Sequence, residues 1–433
     1  MRTGPWLGRE LELDVGAVAP GGHCVARVEG RVVFVRHALP GERVVARVTE
    51  DGGGSYCRAD AIRVLVASAD RVTPPCPHAG PGRCGGCDWQ HATGAAQRAG
   101  KASVLREQLS RLAGRPDVPV VVEPLPAAGG GPDGTGEEGL LGWRTRVRFA
   151  VGADGRTGLR RHRSHQLEPV EHCPLGTAGV AAAGVGHRRW PAATEVEVVA
   201  STGGDTAVVT RAAGGAPLAG EPAGHADRDR DPGDAGRARR PVLAEGPGVV
   251  REWAGGREWR VAATGFWQVH PAAADTLARC VLDFLRPAPG ETALDLYAGA
   301  GLFAGLLAAA VGPGGRVVAV EADPRAAADA AGNVPGIEVR TARVTPGLLG
   351  GLGLGPDLVV LDPPRSGAGT AVMAAVLTLA PRAVAYVACD PATLARDLRL
   401  ALDAGWELRG LRAFDCFPMT RHVETVALLC PPT

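Results

Sequence analysis

The stretch TALDLYAGAGLFAGLLAAAV, residues 292–311, decides the fold. It opens as a strand, Leu294 to Tyr297, turns through Ala298-Gly299-Ala300-Gly301, and continues with helical periodicity from 302 to 311. A strand that bends through G-x-G into a helix lets a nucleotide-like ligand approach the backbone closely, because glycine tolerates the turn and adds no side chain. Working outward, the same alternation recurs. A helix over 272–286 precedes it, and RVVAVEAD (316–323), a helix over 324–332, IEVRTA (337–342), DLVVLDPP (357–364), a helix over 370–379, AVAYVACD (383–390) and a helix over 391–403 follow. Apolar strands with little alternation, separated by helices, predict a parallel sheet covered on both faces. The last two strands, WELRGLRAFDCF (406–417) and HVETVALLC (422–430), have no helix between them and predict an antiparallel end to the sheet.

This is the layout of the class I methyltransferase core, a Rossmann-like fold, by analogy of fold alone. The ligand reading agrees. The next strand ends at Glu321, about twenty residues past the glycines, where an acid can take both hydroxyls of a ribose. The dinucleotide fingerprint is left incomplete at Ala304, so the shortened turn favours S-adenosyl-L-methionine, which has no pyrophosphate to seat, over NAD.

Three further strand ends carry candidate chemistry. Asp362-Pro363-Pro364-Arg365 is a stiffened turn projecting Asp362 into the crevice at the strands' carboxyl ends. Arg365 stands where amino-group methyltransferases place an aromatic, which argues for an acceptor other than an exocyclic amine. Cys389, after a strand and before a helix, is a candidate nucleophile, because a helix N-terminus lowers a thiol pKa; a buried structural cysteine is the alternative. Glu424 in RHVET, at the same edge, is a candidate base or merely a solvated acid.

The remaining chain reads as two more regions. Residues 1–68 are short alternating strands broken by glycines, predicting a small OB-like β-barrel. Residues 69–262 predict a central α+β domain with a helix at 101–114 that can pack on the third domain, a Pro/Gly-rich linker at 124–139, and an insert at 212–247 too poor in large apolar residues to fold. The third domain is 263–433. Glycine (62) and proline (35) exceed a fifth of the 433 residues, yet the hydrophobic fraction of 45% is that of a globular chain. The longest apolar run, Leu302 to Val311, falls short of the roughly 18 residues a membrane span needs, and the chain opens without a signal-peptide core, so a cytoplasmic monomer with no membrane partner is expected.

Among ten cysteines, Cys76, Cys84 and Cys87 form a compact group, with Cys173 an available fourth ligand. Four thiolates suit tetrahedral zinc or a four-iron cluster, and one group of three with a remote fourth beside proline leans to iron-sulfur. Net charge is only +1, but seven arginines (144, 146, 148, 156, 160, 161, 163) face one acid, Asp154, across residues 141–165, a stretch suited to a polyanion.

Taken together, FVRHALPGERV (34–44), CPH and CGGC (76–87), HCPL (172–175), WRTRVRF (143–149), GFWQVHP (265–271), LDLYAGAGLF (294–303), VLDPPRSG (360–367), YVACDPATLARDL (386–398) and FDCFPMTRHVETVALL (414–429) resemble the RNA (uracil-C5)-methyltransferases that carry an N-terminal TRAM barrel. The resemblance spans the chain outside the linker and insert. It implies methylation of uridine C5 in ribosomal or transfer RNA, with Cys389 adding to C6 and Glu424 removing the C5 proton. It further implies that Gln268 lies near cofactor and target base, that Tyr297, Gly299, Gly301 and Glu321 line the adenosine site, and that Asp362 contacts cofactor or uracil. Cys76, Cys84, Cys87 and Cys173 correspond to ligands of a [4Fe-4S] cluster, and Arg144 and Arg146 to phosphate contacts. Leu302 and Ala342 stand where family members have polar residues, and Asp390 replaces the common Asn after the nucleophile, which is expected to raise the thiol pKa somewhat. An RNA-binding iron-sulfur protein without turnover, or methylation at another base position, are the competing readings.

Overall fold

The structure, a computed structural model, describes residues 4–126, 139–212 and 241–432. Most of the linker (127–138) and most of the insert (213–240) lie outside the described residues.

The first five strands are β1 (Glu10–Asp14), β2 (Cys24–Val28), β3 (Arg31–Arg36), β4 (Arg43–Asp51) and β5 (Tyr56–Val66), hydrogen-bonded in the order β1-β4-β5-β3-β2. Alternation sets which face is inside: Leu11 and Leu13 of β1 are buried while Glu10, Glu12 and Asp14 are exposed. Trp6, Val33, Val44 and Ala59 fill the barrel, and Trp89 from the cysteine knot closes it, its indole N–H donating to Gly22 O at 2.9 Å.

Helix α1 (Gly94–Leu112) begins at Thr93, whose hydroxyl accepts the Ala96 N–H. Its buried residues Ala102, Leu105 and Leu109 pack not on the barrel but against the chain's eight-stranded sheet, in one cluster with Val359 and Val384. Strand β6 (Val122–Pro124) then joins the edge of that sheet.

The central domain is a six-stranded antiparallel sheet: β7 (Arg146–Val151), β8 (Thr157–Arg160), β9 (Leu167–Pro169), β10 (Ala193–Ala200), β11 (Thr206–Ala212) and β12 (Pro241–Glu245), in the order β12-β11-β10-β7-β8-β9, with the short helix α2 (Ala178–Ala182) against it. Strand β12 corrects the extent of the insert. Residues 241–245 pair with β11 despite their exposed side chains, because the pairing needs only backbone groups.

The hairpin β13 (Val249–Ala254) and β14 (Arg257–Ala262) contributes Trp259, fully buried, to the third domain's core. That domain continues through α3 (Ala273–Leu285), β15 (Thr292–Leu296), α4 (Leu302–Val311), β16 (Arg316–Glu321), α5 (Pro324–Asn333), β17 (Glu338–Thr341), α6 (Pro346–Gly351), β18 (Leu358–Leu361), α7 (Thr370–Thr378), β19 (Ala383–Ala388), α8 (Pro391–Asp403), β20 (Glu407–Asp415) and β21 (Glu424–Cys430). The sheet order is β17-β16-β15-β18-β19-β21-β20-β6, with β21 alone running against its neighbours. Alternate residues of one strand feed opposite cores: Ala293, Leu358 and Val360 face the side of α3 and α4, while Leu294, Val359 and Leu361 face α1, α7 and α8. Both faces are therefore dry, as the unbroken apolar strands predict.

Candidate active site

Cys389 and Glu424 are brought together by strand register. β19 and β21 pair antiparallel, with Val387 opposite Val426 and Ala388 opposite Thr425. Cys389 follows directly on β19 and Glu424 opens β21, so the two stand one step beyond the last pair of this ladder. Because β21 is the reversed strand, its first residue lies at the carboxyl edge of the parallel strands, where β18 also ends in Asp362. The Asp362 N–H donates to Leu296 O at 3.2 Å, which keeps that turn against β15.

The electrostatics of this edge differ from the expectation for Cys389. Burial, then the charges of Glu424 and Asp362, push its thiol pKa well up, Arg365 opposes them, and Asp390 adds to the rise. A helix N-terminus does stand beside the thiol, but Asp390 has capped it, accepting the Ala392 and Thr393 N–H groups at 3.0 and 2.9 Å. The dipole's positive end is spent on that carboxylate, so the thiol is held protonated at rest. Glu424 is 5% exposed, and burial raises its pKa well above the carboxylate range, with Asp362 adding and Arg365 opposing. Asp362 is raised by burial to about 7. The buried Glu424, the partly buried Cys389 and Asp362, and the exposed Arg365 thus act on one another at this edge.

The turn Pro363–Gly369 is pinned from α8. Thr393 Oγ1 donates to Arg365 O at 3.1 Å, Arg396 donates to Ser366 O at 2.9 Å, and Asp397 Oδ2 accepts both the Gly369 N–H (3.1 Å) and the Tyr386 hydroxyl (2.7 Å). Gly367 is left-handed (φ 75°), and a Cβ there would stand 2.6 Å from Arg396 Nη2 and Asp397 Oδ2.

On the neighbouring strands, Tyr297 adopts φ 65° and its N–H donates to Val320 O at 2.9 Å, which turns the chain into the glycines. Gly299 (φ 55°) and Gly301 (φ 89°) follow, and a Cβ on Gly301 would crowd Ala330 at 3.1 Å. Glu321 accepts the Gly299 N–H (2.9 Å) on one oxygen and the Asp323 N–H (2.7 Å) on the other, fixing the turn's height above the sheet. Leu302 is buried in the core, and Ala342 is anchored by its backbone to Glu321 O at 2.8 Å.

Gln268 lies buried in the segment between β14 and α3. That segment is tied to the central domain by Val269 O, which accepts both the N–H and the hydroxyl of Thr145, at 2.9 and 3.0 Å. Arg146 is 7% exposed and donates to the Gly265 and Ala263 carbonyls, so it braces this segment, while its Nε and Nη2 have no hydrogen-bond partner among the described residues. Arg144 Nε donates to Arg146 O at 3.0 Å.

Several residues at the site escape sequence reading. Asp295, in mid-strand, is fully buried, accepts the Ala304 N–H at 2.8 Å, and is raised by burial to about 7; an acid inside an apolar strand was the available signal. Phe266 is 67% exposed two residues before Gln268. Lys101, the chain's sole lysine, is 1% exposed and donates from α1 to Asp415 (2.5 Å) and Phe417 O (2.9 Å).

The four knot cysteines converge. Cys87 and Cys84 are each raised by burial and by the charges of the other knot thiols, Cys173 among them. The Gly86 N–H points at Cys84 Sγ (3.4 Å), Gln90 Nε2 at Cys87 Sγ (3.3 Å), and the Leu175 and Gly176 N–H groups at Cys173. Among the described residues, however, no group of three or more His, Cys, Asp or Glu is drawn in to metal-holding distance. The knot grips the loop before Glu424: the Asp88 and Trp89 N–H groups both donate to Met419 O, at 2.9 and 3.0 Å.

Comparison with known proteins accords with this geometry. Residues 7–62 match the TRAM domain, and residues 355–431 match the tRNA (uracil-5-)-methyltransferase family. An uncharacterized RNA methyltransferase of Streptomyces avermitilis is 49% identical over 98% of this chain and 99% of its own. A counterpart in Bifidobacterium longum is 34% identical over 97% and 96%. The crystal structure of the Pyrococcus abyssi tRNA (uracil-54, C5)-methyltransferase with S-adenosyl-L-homocysteine superposes with a TM-score of 0.66, at 21% identity, over 96% of this chain and 99% of that one. With a TRAM barrel, this catalytic sheet and relatives so similar over their full length, the chain belongs to the RNA methyltransferases of the tRNA (uracil-5-)-methyltransferase family.

Proposed function

We propose that the protein transfers a methyl group from S-adenosyl-L-methionine to C5 of a uridine in ribosomal or transfer RNA. What supports this reading is that Cys389 and Glu424 flank the last β19–β21 pair, Ala388 with Thr425, and act electrostatically on each other together with Asp362 and Arg365.

Uracil C5 is a weak nucleophile, and a thiolate added at C6 makes it enolate-like. Cys389 gives up its proton to solvent and the resulting thiolate forms the S–C6 bond, while the C5–C6 π electrons move toward C5 and the C4 carbonyl. The cofactor supplies the electrophilic methyl group, which C5 takes up. Glu424, ionised for this step, removes the C5 proton, and the electrons left at C5 expel the Cys389 thiolate. Arg365, which acts on both groups, stabilises the ionised forms that burial disfavours. Asp362, with a pKa near 7, can hold a hydrogen bond to the uracil edge as donor or acceptor. Each Glu321 oxygen already takes one backbone N–H and keeps a lone pair for a ribose hydroxyl. Gln268 orients the base from the facing segment, and Phe266 offers it a stacking surface.

The knot's donor set fits a four-iron cluster: four thiols within electrostatic reach of one another, three of them met by N–H donors. Cys76, Cys84, Cys87 and Cys173 would hold it, and bound there it would cross-link the knot to the central domain. No electron is needed in the proposed reaction.

Transcripts carrying tritium at uridine C5 test the reaction. Release of tritium to water, dependent on S-adenosyl-L-methionine and lost in Cys389→Ala, is expected. Methylation without tritium release would place the acceptor at another atom, and cofactor binding with no transfer to any cellular RNA would favour a binding protein without turnover.

A further inference from the structure

Arg36 ends β3, and its side chain enters the junction of the barrel, the cysteine knot and residues 160–163. It is 8% exposed, and its Nη2 has no hydrogen-bond partner among the described residues. His23, at the start of the neighbouring strand, is equally buried. The His162 ring lies edge-on to it, with centroids 6.2 Å apart, and the Nε2 atoms of both rings also lack a partner among the described residues.

The junction is tightly built. A Cβ on Gly85 would meet the His162 backbone at 2.6 Å, and one on Gly22 would meet Arg421 Cβ at 2.9 Å. The Arg421 N–H donates to Asp88 Oδ2 at 3.0 Å, which leaves the exposed Arg421 side chain at the rim. Arg36, Arg58, Arg163 and Arg421 all act electrostatically on His23. The acids facing them are Asp60 and Asp88, which act on Arg36, and Glu50, which takes both Arg58 (2.9 Å) and Arg163 (2.6 Å). Four guanidinium groups thus face three carboxylates, and the buried Arg36 nitrogen is left to the interior. Such a group is costly unless something accepts from it. A tetrahedral oxyanion, with acceptors in several directions, can take donors from one guanidinium and two imidazoles together.

We propose that Arg36, His23 and His162, with Arg421 at the rim, form a phosphate site that seats the RNA backbone beside the catalytic crevice. This rests on the RNA reading above. Its place supports the assignment: Arg421 is three residues from Glu424, at most about 10 Å along the chain, so the seated phosphate belongs close to the target nucleotide. The site joins three regions at once, and so reads the path of the strand and not its base sequence.

The test is the salt dependence of binding of a short oligouridylate to the full-length protein in the presence of S-adenosyl-L-homocysteine. Arg36→Gln and Arg421→Ala should each weaken binding several-fold and reduce the slope of log K against log salt by about 0.7, the loss of one single-strand phosphate contact. His162→Phe should weaken binding with the slope unchanged. Arg421 is exposed, so its variant decides the matter if Arg36→Gln fails to fold. Affinity and slope equal to wild type in a folded Arg421→Ala that still binds S-adenosyl-L-homocysteine would overturn the site alone. Wild-type protein that binds S-adenosyl-L-homocysteine but no RNA at any salt would overturn the RNA reading with it. Inorganic phosphate that binds wild type but not Arg421→Ala, while oligouridylate binds both alike, would assign the site to free phosphate instead.

Discussion

At the residue scale the proposed reaction turns on two groups that rest in their unreactive forms. Burial and neighbouring acids keep Cys389 a thiol and Glu424 a carboxylic acid, yet each must ionise at its step. Deprotonation of a raised acid gains ground as pH rises, so the rate with saturating RNA should climb through neutrality into the alkaline range. A bell centred in the acid range would contradict the assignment. Glu424→Gln should stop after methyl transfer and accumulate a covalent protein–RNA species under denaturing electrophoresis, whereas Cys389→Ala should form none. Equal turnover in Glu424→Gln and wild type would remove Glu424 from the mechanism. The identities of both residues were legible in the sequence through their neighbours' spacing. The direction of the Cys389 shift was legible only at Asp390; the larger contributions come from burial and from Glu424 and Asp362, which come near only through the sheet.

At the scale of the element, the parallel sheet was legible wherever strands were long and apolar, from Thr292 to Cys430. The three-residue strand Val122–Pro124 and the exposed strand Pro241–Glu245 were not, since both are specified by backbone pairing to a distant partner. Nor was the burial of Arg146, one arginine among seven in a basic stretch, predictable without the segment it braces. Helix α1 was legible as a helix, but not as the brace of the Glu424 loop. Its Lys101 joins Asp415 and Phe417 O in a setting with almost no solvent. Removing one partner strands the other charge, so Lys101→Ala should destabilise the fold by about 3–5 kcal/mol; an unchanged urea midpoint would show the pair to be dispensable. Gly367→Ala should cost more at the active site than in the fold. The added Cβ strains a left-handed position at about 1–2 kcal/mol and strikes the groups that hold the Asp362 turn, so kcat should fall by more than the modest loss of stability accounts for. Full kcat would show that the turn is free to shift.

At the scale of the whole molecule, the knot, α1 and the central domain all converge on the segment between β20 and β21. Asp88 and Trp89 hold Met419 O, Gln97 accepts the Met419 N–H at 2.7 Å, and Leu140, Trp143 and Leu175 pack on Met419 beside Cys87 and Cys173. Loss of one knot thiol should therefore be felt far from the knot. Cys87→Ala should lose bound iron and thermal stability together, as read by iron analysis and calorimetry on anaerobically purified protein. Full stability with full activity would remove the cluster's structural role.

The central claim, covalent C5 methylation through Cys389, is tested most directly with transcripts containing 5-fluorouridine. Fluorine at C5 cannot leave as a proton, so the reaction should halt with RNA bound to the protein. Denaturing mass spectrometry of wild-type protein with S-adenosyl-L-methionine should then show an adduct of protein, RNA fragment and methyl group, absent from Cys389→Ala. No adduct with any cellular RNA, in protein that binds the cofactor, would contradict the account.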